Sequence, residues 1–167
     1  YVEDEPNGDW IWFYPNGSTW REESYLNGLE DGLSIEYDTA GVVLAKGEYV
    51  DGFREGEWIF VSGDHREQGS YFEGERSGVW KHFYLKPEES LRFEGEYDNG
   101  REIGKHFTYY PNGSVKSRGS YNGGIRIGIW EFFKEDSSLY LTIEYDSEGQ
   151  EIKYNGVKIQ YGRRFRE

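Results

Sequence analysis

The sequence contains no cysteine and no methionine, and only 4 of its 167 residues are proline. Without cysteine, the chain can form neither a disulfide framework nor a zinc site with thiolate ligands. No apolar run approaches the roughly 18 residues that a membrane-spanning helix requires. Aliphatic residues are scarce too, since Ala, Val, Ile and Leu together number 28. Any packed core must therefore draw on other side chains.

Aromatic residues are abundant, with 10 Phe, 6 Trp and 15 Tyr. Disordered chains are typically poor in aromatic residues, so this composition favours a folded structure despite the net charge of −13. The length suits one domain or one short repeat array. Because the sequence begins at Tyr1 rather than at methionine, we expect it to be a trimmed or processed part of a longer chain.

The aromatic and glycine residues recur at fixed spacing. The pattern Tyr-x-x-Gly-x-x-x-Gly occurs five times, and its second glycine opens the next unit; the tyrosines are Tyr25, Tyr49, Tyr71, Tyr97 and Tyr121. Gly8 opens a first unit and Tyr145 closes a sixth. From opening glycine to tyrosine the units span 17, 17, 15, 19, 17 and 17 residues. Steps of two are what a β-hairpin tolerates, because one residue added to each arm leaves every side chain on its own face.

The turn and strand glycines agree with hairpins. Asn27-Gly28, Asp51-Gly52 and Asn99-Gly100 lie within the fixed pattern, and such pairs adopt the positive φ values of tight hairpin turns. A further glycine stands two residues before four of the tyrosines, at Gly47, Gly69, Gly95 and Gly119. A recurring strand glycine predicts a close backbone approach, a bulge or a bend.

Two columns of large side chains follow each opening glycine. At offset two stand Trp10, Ser34, Trp58, Trp80, His106 and Trp130, and at offset five stand Phe13, Tyr37, Val61, Phe83, Tyr109 and Phe133. The two offsets differ in parity, so either both faces of the sheet carry aromatic residues or a bulge realigns them.

These patterns predict an all-β fold, an elongated and twisted antiparallel β-meander of about six repeated hairpins in a single sheet. Residues 1–7 form an acidic N-terminal segment and residues 8–149 form the six repeats. Residues 150–167 supply a capping hairpin, read from Tyr154-Asn155-Gly156-Val157, and a basic tail.

The charge is concentrated in the first half. Residues 1–80 contain 18 acidic and 5 basic residues, a net of −13, whereas residues 81–167 contain 14 of each. Eight acids crowd the first units and predict an acidic face for a basic protein partner: Glu22, Glu23, Glu30, Asp31, Glu48, Asp51, Glu55 and Glu57. The alternative is a solvated face that keeps the sheet soluble. Nucleic acid and anionic membranes are disfavoured as partners, although residues 101–126 are locally basic.

The aromatic columns have two interpretations. The tyrosines can form the core of a sheet that has no second layer. Alternatively, a groove lined by tryptophans could stack on a sugar or enclose a quaternary amine; its residues would be Trp10, Trp12, Trp58, Trp80 and Trp130.

No catalytic constellation stands out. His65, His82 and His106 lack the spacing of a metal site. Neither a Gly-x-Ser-x-Gly elbow nor a phosphate-binding loop occurs. We therefore expect a protein that is not an enzyme and that holds no metal or cofactor.

The segment from Gly47 to Trp58 resembles a MORN repeat, and more narrowly the bacterial MORN-variant repeat, whose pattern runs Gly-x-Tyr-x-Asn/Asp-Gly, three residues, Gly-x-Trp. The departures are Ser34 and His106 at the Trp position and Glu23 and Ile143 at the Gly position. Similar arrays occur as antitoxins of bacterial toxin–antitoxin pairs. The resemblance thus implies a cytoplasmic antitoxin or immunity-type protein that masks a basic toxin. Eukaryotic MORN arrays imply the alternative, a membrane-proximal or structural scaffold.

Overall fold

A computed structural model describes residues 5–159, and within that range the chain forms one fourteen-stranded antiparallel sheet. Every strand pairs with its neighbours in sequence, so the order along the sheet is the order along the chain. The strands are β1 (Gly8–Phe13), β2 (Thr19–Leu26), β3 (Leu29–Tyr37), β4 (Val43–Val50), β5 (Phe53–Ser62), β6 (His65–Phe72), β7 (Glu75–Tyr84), β8 (Ser90–Asp98), β9 (Arg101–Tyr109), β10 (Val115–Asn122), β11 (Ile125–Phe133), β12 (Leu139–Tyr145), β13 (Glu151–Tyr154) and β14 (Val157–Lys158). The predicted all-β meander is confirmed.

The variable spacing is absorbed at the turns along one long edge of the sheet, here called the distal edge. In the third unit, the shortest, Ser62 pairs with His65 and the turn has only two residues. In the fourth unit, the longest, pairing extends to Tyr84 and Ser90, whereas in the first unit it stops at Phe13 and Thr19. Pairing in the third and fourth units thus reaches the same offset from the opening glycine, at Ser62 and Tyr84. The four extra residues of the fourth unit lie in its five-residue turn and at the register shift between His82 and Phe83.

Five turns along the other long edge, the proximal edge, have two residues each, and the last one, between β12 and β13, has five. Both residues of the Asp51-Gly52 turn have positive φ, 50° and 82°, and Asn27-Gly28 and Asn99-Gly100 behave alike, as predicted. Consecutive proximal turns are joined by hydrogen bonds; the amide of Gly52, for example, donates to the carbonyl of Glu30 at 2.8 Å. The proximal edge is therefore one continuous row of linked turns.

The strand glycines make room for aromatic rings. A Cβ atom at Gly47 would lie 2.1 Å from the indole of Trp58, and one at Gly69 would lie 2.5 Å from Trp80. The register also shifts at Gly47, between Lys46 and Glu48. Of the three predicted alternatives, the structure shows both a close approach and a bulge at Gly47. The Trp58 indole N–H donates to the carbonyl of Glu48 at 3.1 Å, so each ring both covers a bulge and satisfies a carbonyl that the bulge releases.

His106 and Ser34 show two ways of departing from this arrangement. His106 lies against Gly95 as a tryptophan would, and its Nε2 is 3.1 Å from the carbonyl oxygen of Glu96. Where the first and second units meet, Glu23 of the first replaces the glycine and the small Ser34 of the second replaces the ring. Their side chains meet with Ser34 Oγ 3.4 Å from Glu23 Oε1. The larger Glu23 side chain occupies space that the smaller Ser34 leaves, so the site stays filled.

The core lies on one face of the sheet, here called the aromatic face. Its buried residues include Trp58, Tyr71, Trp80, His106, Trp130, Ile143 and Tyr145. Tyr71 packs edge-on between Trp58 and Trp80, with ring centroids 6.2 Å and 5.1 Å away. Because residues 5–159 supply no second layer over this face, each large ring is covered by its neighbours along the sheet. The tyrosine column thus serves as core.

The offset-five column lies on the opposite face, here called the open face. Trp80 and His82 share the aromatic face, so strand alternation places Phe83 on the other side, where the Arg66 guanidinium lies 4.4 Å from its ring. Both faces therefore carry aromatic residues, which settles the parity question.

The C-terminal end of the described chain is the short hairpin of β13 and β14, with Asn155 and Gly156 in its turn. Most of the acidic segment, residues 1–4, and most of the basic tail, residues 160–167, lie outside the described residues.

Candidate protein-binding surface

Three of the predicted acidic residues come together on the open face of the second and third units. Glu48 on β4 pairs directly with Glu55 on β5, and Glu57 lies two residues further along β5. They line an open groove of about 530 Å³ that also includes Leu33, Ile59, Lys46 and Gln68. We call this the acidic groove.

The carboxylates of the acidic groove are largely uncompensated. Lys46 is the one basic residue lining it. Glu57 accepts a hydrogen bond from Ser70 Oγ at 2.6 Å, and Glu55 accepts one from the amide of Glu73 at 3.0 Å. Neutral donors hold these two side chains in place without cancelling their charge. The groove therefore presents three carboxylates, two of them held in place by hydrogen bonds.

The pairing of Glu48 with Glu55 is unfavourable for the fold, because like charges directly opposite each other destabilise an antiparallel pair. The same register position holds Ser70 with Ser77, Glu96 with Ile103, and Ser120 with Ile127 in the other units. Of these four equivalent pairs, only Glu48 with Glu55 places two carboxylates opposite each other. Two carboxylates that destabilise the strand pairing suggest a role in binding rather than in folding.

Glu48→Gln should therefore raise the free energy of unfolding, by about 0.5 kcal/mol, since it removes the repulsion and keeps the side chain's size. Urea denaturation at low ionic strength measures the gain, which should shrink as salt screens the charges. Glu96→Gln is the matched control, because Glu96 faces Ile103 and should show no gain. Equal effects of the two changes would contradict the interpretation.

The other five predicted acids do not join this surface as one patch. Glu22 lies on the open face, in a neighbouring groove of about 260 Å³ with Leu33. Asp31 accepts a bond from the amide of Asp51, in the proximal turn, at 3.3 Å. Glu30 pairs with Tyr25 and so lies on the aromatic face. The single face of eight acids expected from the sequence is divided by strand alternation.

Glu23 is the clearest correction. It is 4% exposed and lies among aromatic-face side chains. Arg21 is 3.0 Å from Glu23 Oε1, and the Tyr25 hydroxyl donates to Oε2 at 2.8 Å. Burial and this bond to Glu23 raise the pKa of Tyr25 to about 12, so its hydroxyl stays protonated and keeps donating. Glu23 is a structural carboxylate, with no surface to offer a partner.

The five tryptophans do not form an open groove either. Trp58, Trp80 and Trp130 are buried. An arginine covers each of these rings; Arg76 Cζ, for instance, is 4.0 Å from the Trp80 ring centroid. Trp10 and Trp12 are half-buried at the start of the array, with centroids 6.0 Å apart. Three of the five are thus packed core rather than a stacking platform.

The histidines occupy separate environments. His82 lies 3.3 Å from Glu67, yet burial lowers its pKa, aided by Arg76 and Arg92 and opposed by Glu67. Within residues 5–159, no three His, Asp or Glu side chains are grouped so that they could hold a metal ion.

The basic residues of the fifth unit do not form one free basic patch. Lys105 and Arg118 line a groove of about 310 Å³ on the open face with Phe107. Arg118 is already paired with Glu131, at 2.6 Å. The part of the chain that the structure describes contains no helix long and apolar enough to cross a membrane.

Sequence reasoning missed the apolar side chains that share the open face with the acids. Leu33 and Ile59, both exposed, line the acidic groove. Their signal was available, because both stand at odd offsets from an opening glycine, opposite in parity to the tryptophans. The acidic groove is therefore amphipathic rather than simply acidic.

Two segments of the chain, residues 6–27 and 102–122, match the family model of the MORN repeat variant. No curated protein matches the chain. Among solved structures, a mutant of S. aureus TarM in complex with fondaparinux, alpha-GlcNAc-glycerol and UDP is 13% identical, with a TM-score of 0.30. The match covers 74% of this chain and 20% of that one. A second structure of TarM gives 13% identity and the same TM-score, with 75% of this chain and 20% of that one covered. The chain thus spans about a fifth of the length of these proteins.

Proposed function

Because the chain is a MORN repeat protein, we propose that it is a non-enzymatic protein-binding module whose partner is basic and docks on the open face of the first three units. The observation that carries the proposal is the acidic groove, where Glu48 and Glu55 oppose each other in register. A cationic side chain placed between them would relieve the repulsion, so binding would be coupled to a local gain in stability.

The electrostatic field of the whole chain also favours docking at the end formed by the first three units. Sequence position maps onto position along a repeat array, so the net −13 of residues 1–80 lies at one end. Several bases of that half are engaged on the aromatic face: Arg54 lies over Trp58 and Arg76 lies over Trp80. Such a field raises the rate at which a basic protein meets the acidic end.

The finer proposal is an antitoxin or immunity-type role, in which the module masks a basic toxin. Its support is the resemblance to bacterial MORN-variant arrays, together with the groove's row of carboxylates. A toxin surface that binds phosphates would be complementary to such a row. Capture from native lysate, followed by mass spectrometry, identifies the partner, and co-expression of the two genes then shows whether growth inhibition is relieved.

Association with the captured partner should slow about tenfold or more when Glu48, Glu55 and Glu57 are all changed to Lys. The reason is that steering depends on the field at the docking site. Surface plasmon resonance measures the association rate constant, which should also fall steeply between low and high salt for the unaltered protein.

The matched control carries the same charge change at exposed carboxylates in the second half, Glu88, Glu135 and Glu148. It should retain an association rate within about threefold of the unaltered protein, because those charges are farther from the docking site than a screening length. A rate independent of salt, or equal slowing by the two variants, would reject docking at the acidic end.

A further inference from the structure

Beside the acidic groove, the proximal edge carries a row of large apolar side chains that no part of the described chain covers. Its members flank the first three proximal turns, and each is between 48% and 58% exposed. We call them the apolar ridge: Leu26, Leu29, Val50, Phe53 and Phe72. Exposed apolar rows of this kind on a protein surface mark interaction sites.

The apolar ridge lies on the open face. Tyr25 and Tyr49 belong to the aromatic face, so strand alternation turns the next residues, Leu26 and Val50, to the other side. Leu29 pairs with Leu26, and Phe53 pairs with Val50. Paired residues share a face, so all four lie on the same side as the acidic groove.

The ridge is continuous from turn to turn. The place that a Cβ atom of Gly52 would take is 3.7 Å from a methyl carbon of Leu29, and the equivalent place at Gly74 is 3.1 Å from Phe53 Cδ1. Leu29 and Phe53 thus each lie against the glycine of the next turn. These two contacts connect the three turns that the ridge flanks.

The ridge ends where the acidic charge ends. In the third turn Glu75 takes one of the two flanking positions, and the fourth turn is flanked by Asp98 and Arg101. The fifth is flanked by Asn122 and Ile125. Turn formation alone therefore does not demand apolar residues at these positions. Their concentration in the first three turns coincides with the acidic end of the array.

A parallel row of carboxylates stands one step inward. Asp31 and Glu55 follow Leu29 and Phe53 by two residues, and Glu48 precedes Val50 by two. Two residues along a strand correspond to about 6.7 Å. The surface thus offers an apolar row and an anionic row about 7 Å apart, which fits an element roughly 10 Å across with one apolar side and one basic side.

The repeat along the ridge also matches an α-helix. Successive hairpins are two strands apart, about 9.6 Å, and residues i and i+7 of a helix are about 10.5 Å apart along its axis. A helix of about 13 residues would span the three turns. Apolar residues at such spacing would meet successive turns, with basic residues over the carboxylates.

We propose that the apolar ridge and the adjoining carboxylates form a docking site for a basic amphipathic helix of the partner protein. This inference rests on the proposed function and adds the partner's binding element. The carboxylates supply association rate and orientation, whereas burial of the ridge supplies residence time.

The probe is a synthetic 18-residue peptide of leucine and lysine with its leucines on one helical face, compared with a scrambled peptide of the same composition. The full chain should bind the amphipathic peptide at least tenfold more tightly than the scrambled one in isothermal titration calorimetry. The combined variant Leu26→Ser, Val50→Ser and Phe53→Ser should lose that preference and bind at least tenfold more weakly.

The control variant combines Ile125→Ser, Leu139→Ser and Val157→Ser, exposed apolar residues outside the ridge, and should bind within about twofold of the unaltered chain. Circular dichroism checks that both variants are folded. Absence of peptide binding, equal binding of the scrambled peptide, or full binding by the ridge variant would overturn the inference. If the ridge variant binds normally while reversal of Glu48, Glu55 and Glu57 still slows the captured partner, the proposed function stands and the ridge proposal alone fails.

Discussion

Trp80→Ala should lower the free energy of unfolding by about 3–5 kcal/mol, as truncation of a fully buried aromatic side chain does. Trp80 is 0% exposed. Its indole N–H donates to the carbonyl of Ser70 at 3.0 Å. The change would leave a cavity against Gly69 and an unsatisfied carbonyl at a bulge. Because the described part of the chain forms a single sheet with no second layer, it has no opposing side chains that could move into that space.

Urea denaturation followed by circular dichroism measures the effect. Trp20→Ala is the matched control, since Trp20 is exposed, with the Tyr14 ring 6.3 Å away between centroids and Arg21 Cζ 5.6 Å from its ring centroid. It should cost about 1 kcal/mol or less. A loss below about 1 kcal/mol for Trp80→Ala would show that the aromatic face is not the core.

Gly47→Ala should destabilise the protein by about 3 kcal/mol, the upper part of the range for overpacking. The added methyl would lie 2.1 Å from the Trp58 ring. Moving that ring would also break its hydrogen bond to the Glu48 carbonyl. Backbone strain contributes nothing here, since Gly47 is absent from the glycines with positive φ. The cost is therefore steric and falls on one neighbour.

A double-mutant cycle separates this clash from a general intolerance of the strand. In a Trp58→Ser background, Gly47→Ala should be neutral or stabilising by up to about 1 kcal/mol, because alanine is less flexible than glycine when the chain unfolds. Glu23 and Ser34 already show such an exchange between the first and second units. If Gly47→Ala costs the same in both backgrounds, the ring is not what excludes the methyl group.

The hairpin architecture could be predicted because it depends on local rules. The parity of the unit lengths and the Asp51-Gly52 type of turn each determine part of the backbone without reference to distant residues. The repeat also indicated that Gly47 must approach something closely. What it approaches, the indole of Trp58 eleven residues later, needed the register shift at the bulge.

The candidate site was predicted only in part, because a count of charges along the sequence does not show which face of the sheet each side chain is on. Glu22 and Glu23 are adjacent in sequence, yet Glu22 pairs with Ile35 on the open face, whereas Glu23 is buried among side chains of the aromatic face. Counting outward from the Asp51-Gly52 turn would have paired Glu48 with Glu55. His106 was read as a departure from the repeat, although its ring nitrogen reaches the same backbone position as an indole N–H. Hydrogen-bonding equivalence of this kind is invisible in a hydrophobicity pattern.

The two long edges of the sheet accept change differently. At the distal edge, hairpin lengths already differ by two-residue steps, and the third unit closes with Gly63 and Asp64 alone. Insertions in pairs could accumulate there without disturbing any other part of the sheet. Through the five two-residue turns of the proximal edge the spacing is constant, and a single residue inserted in one of them would turn every following side chain to the other face. The acidic groove adjoins this edge and the apolar ridge lies on it. Turn lengths can therefore change at the distal edge while the register of the binding surface stays fixed.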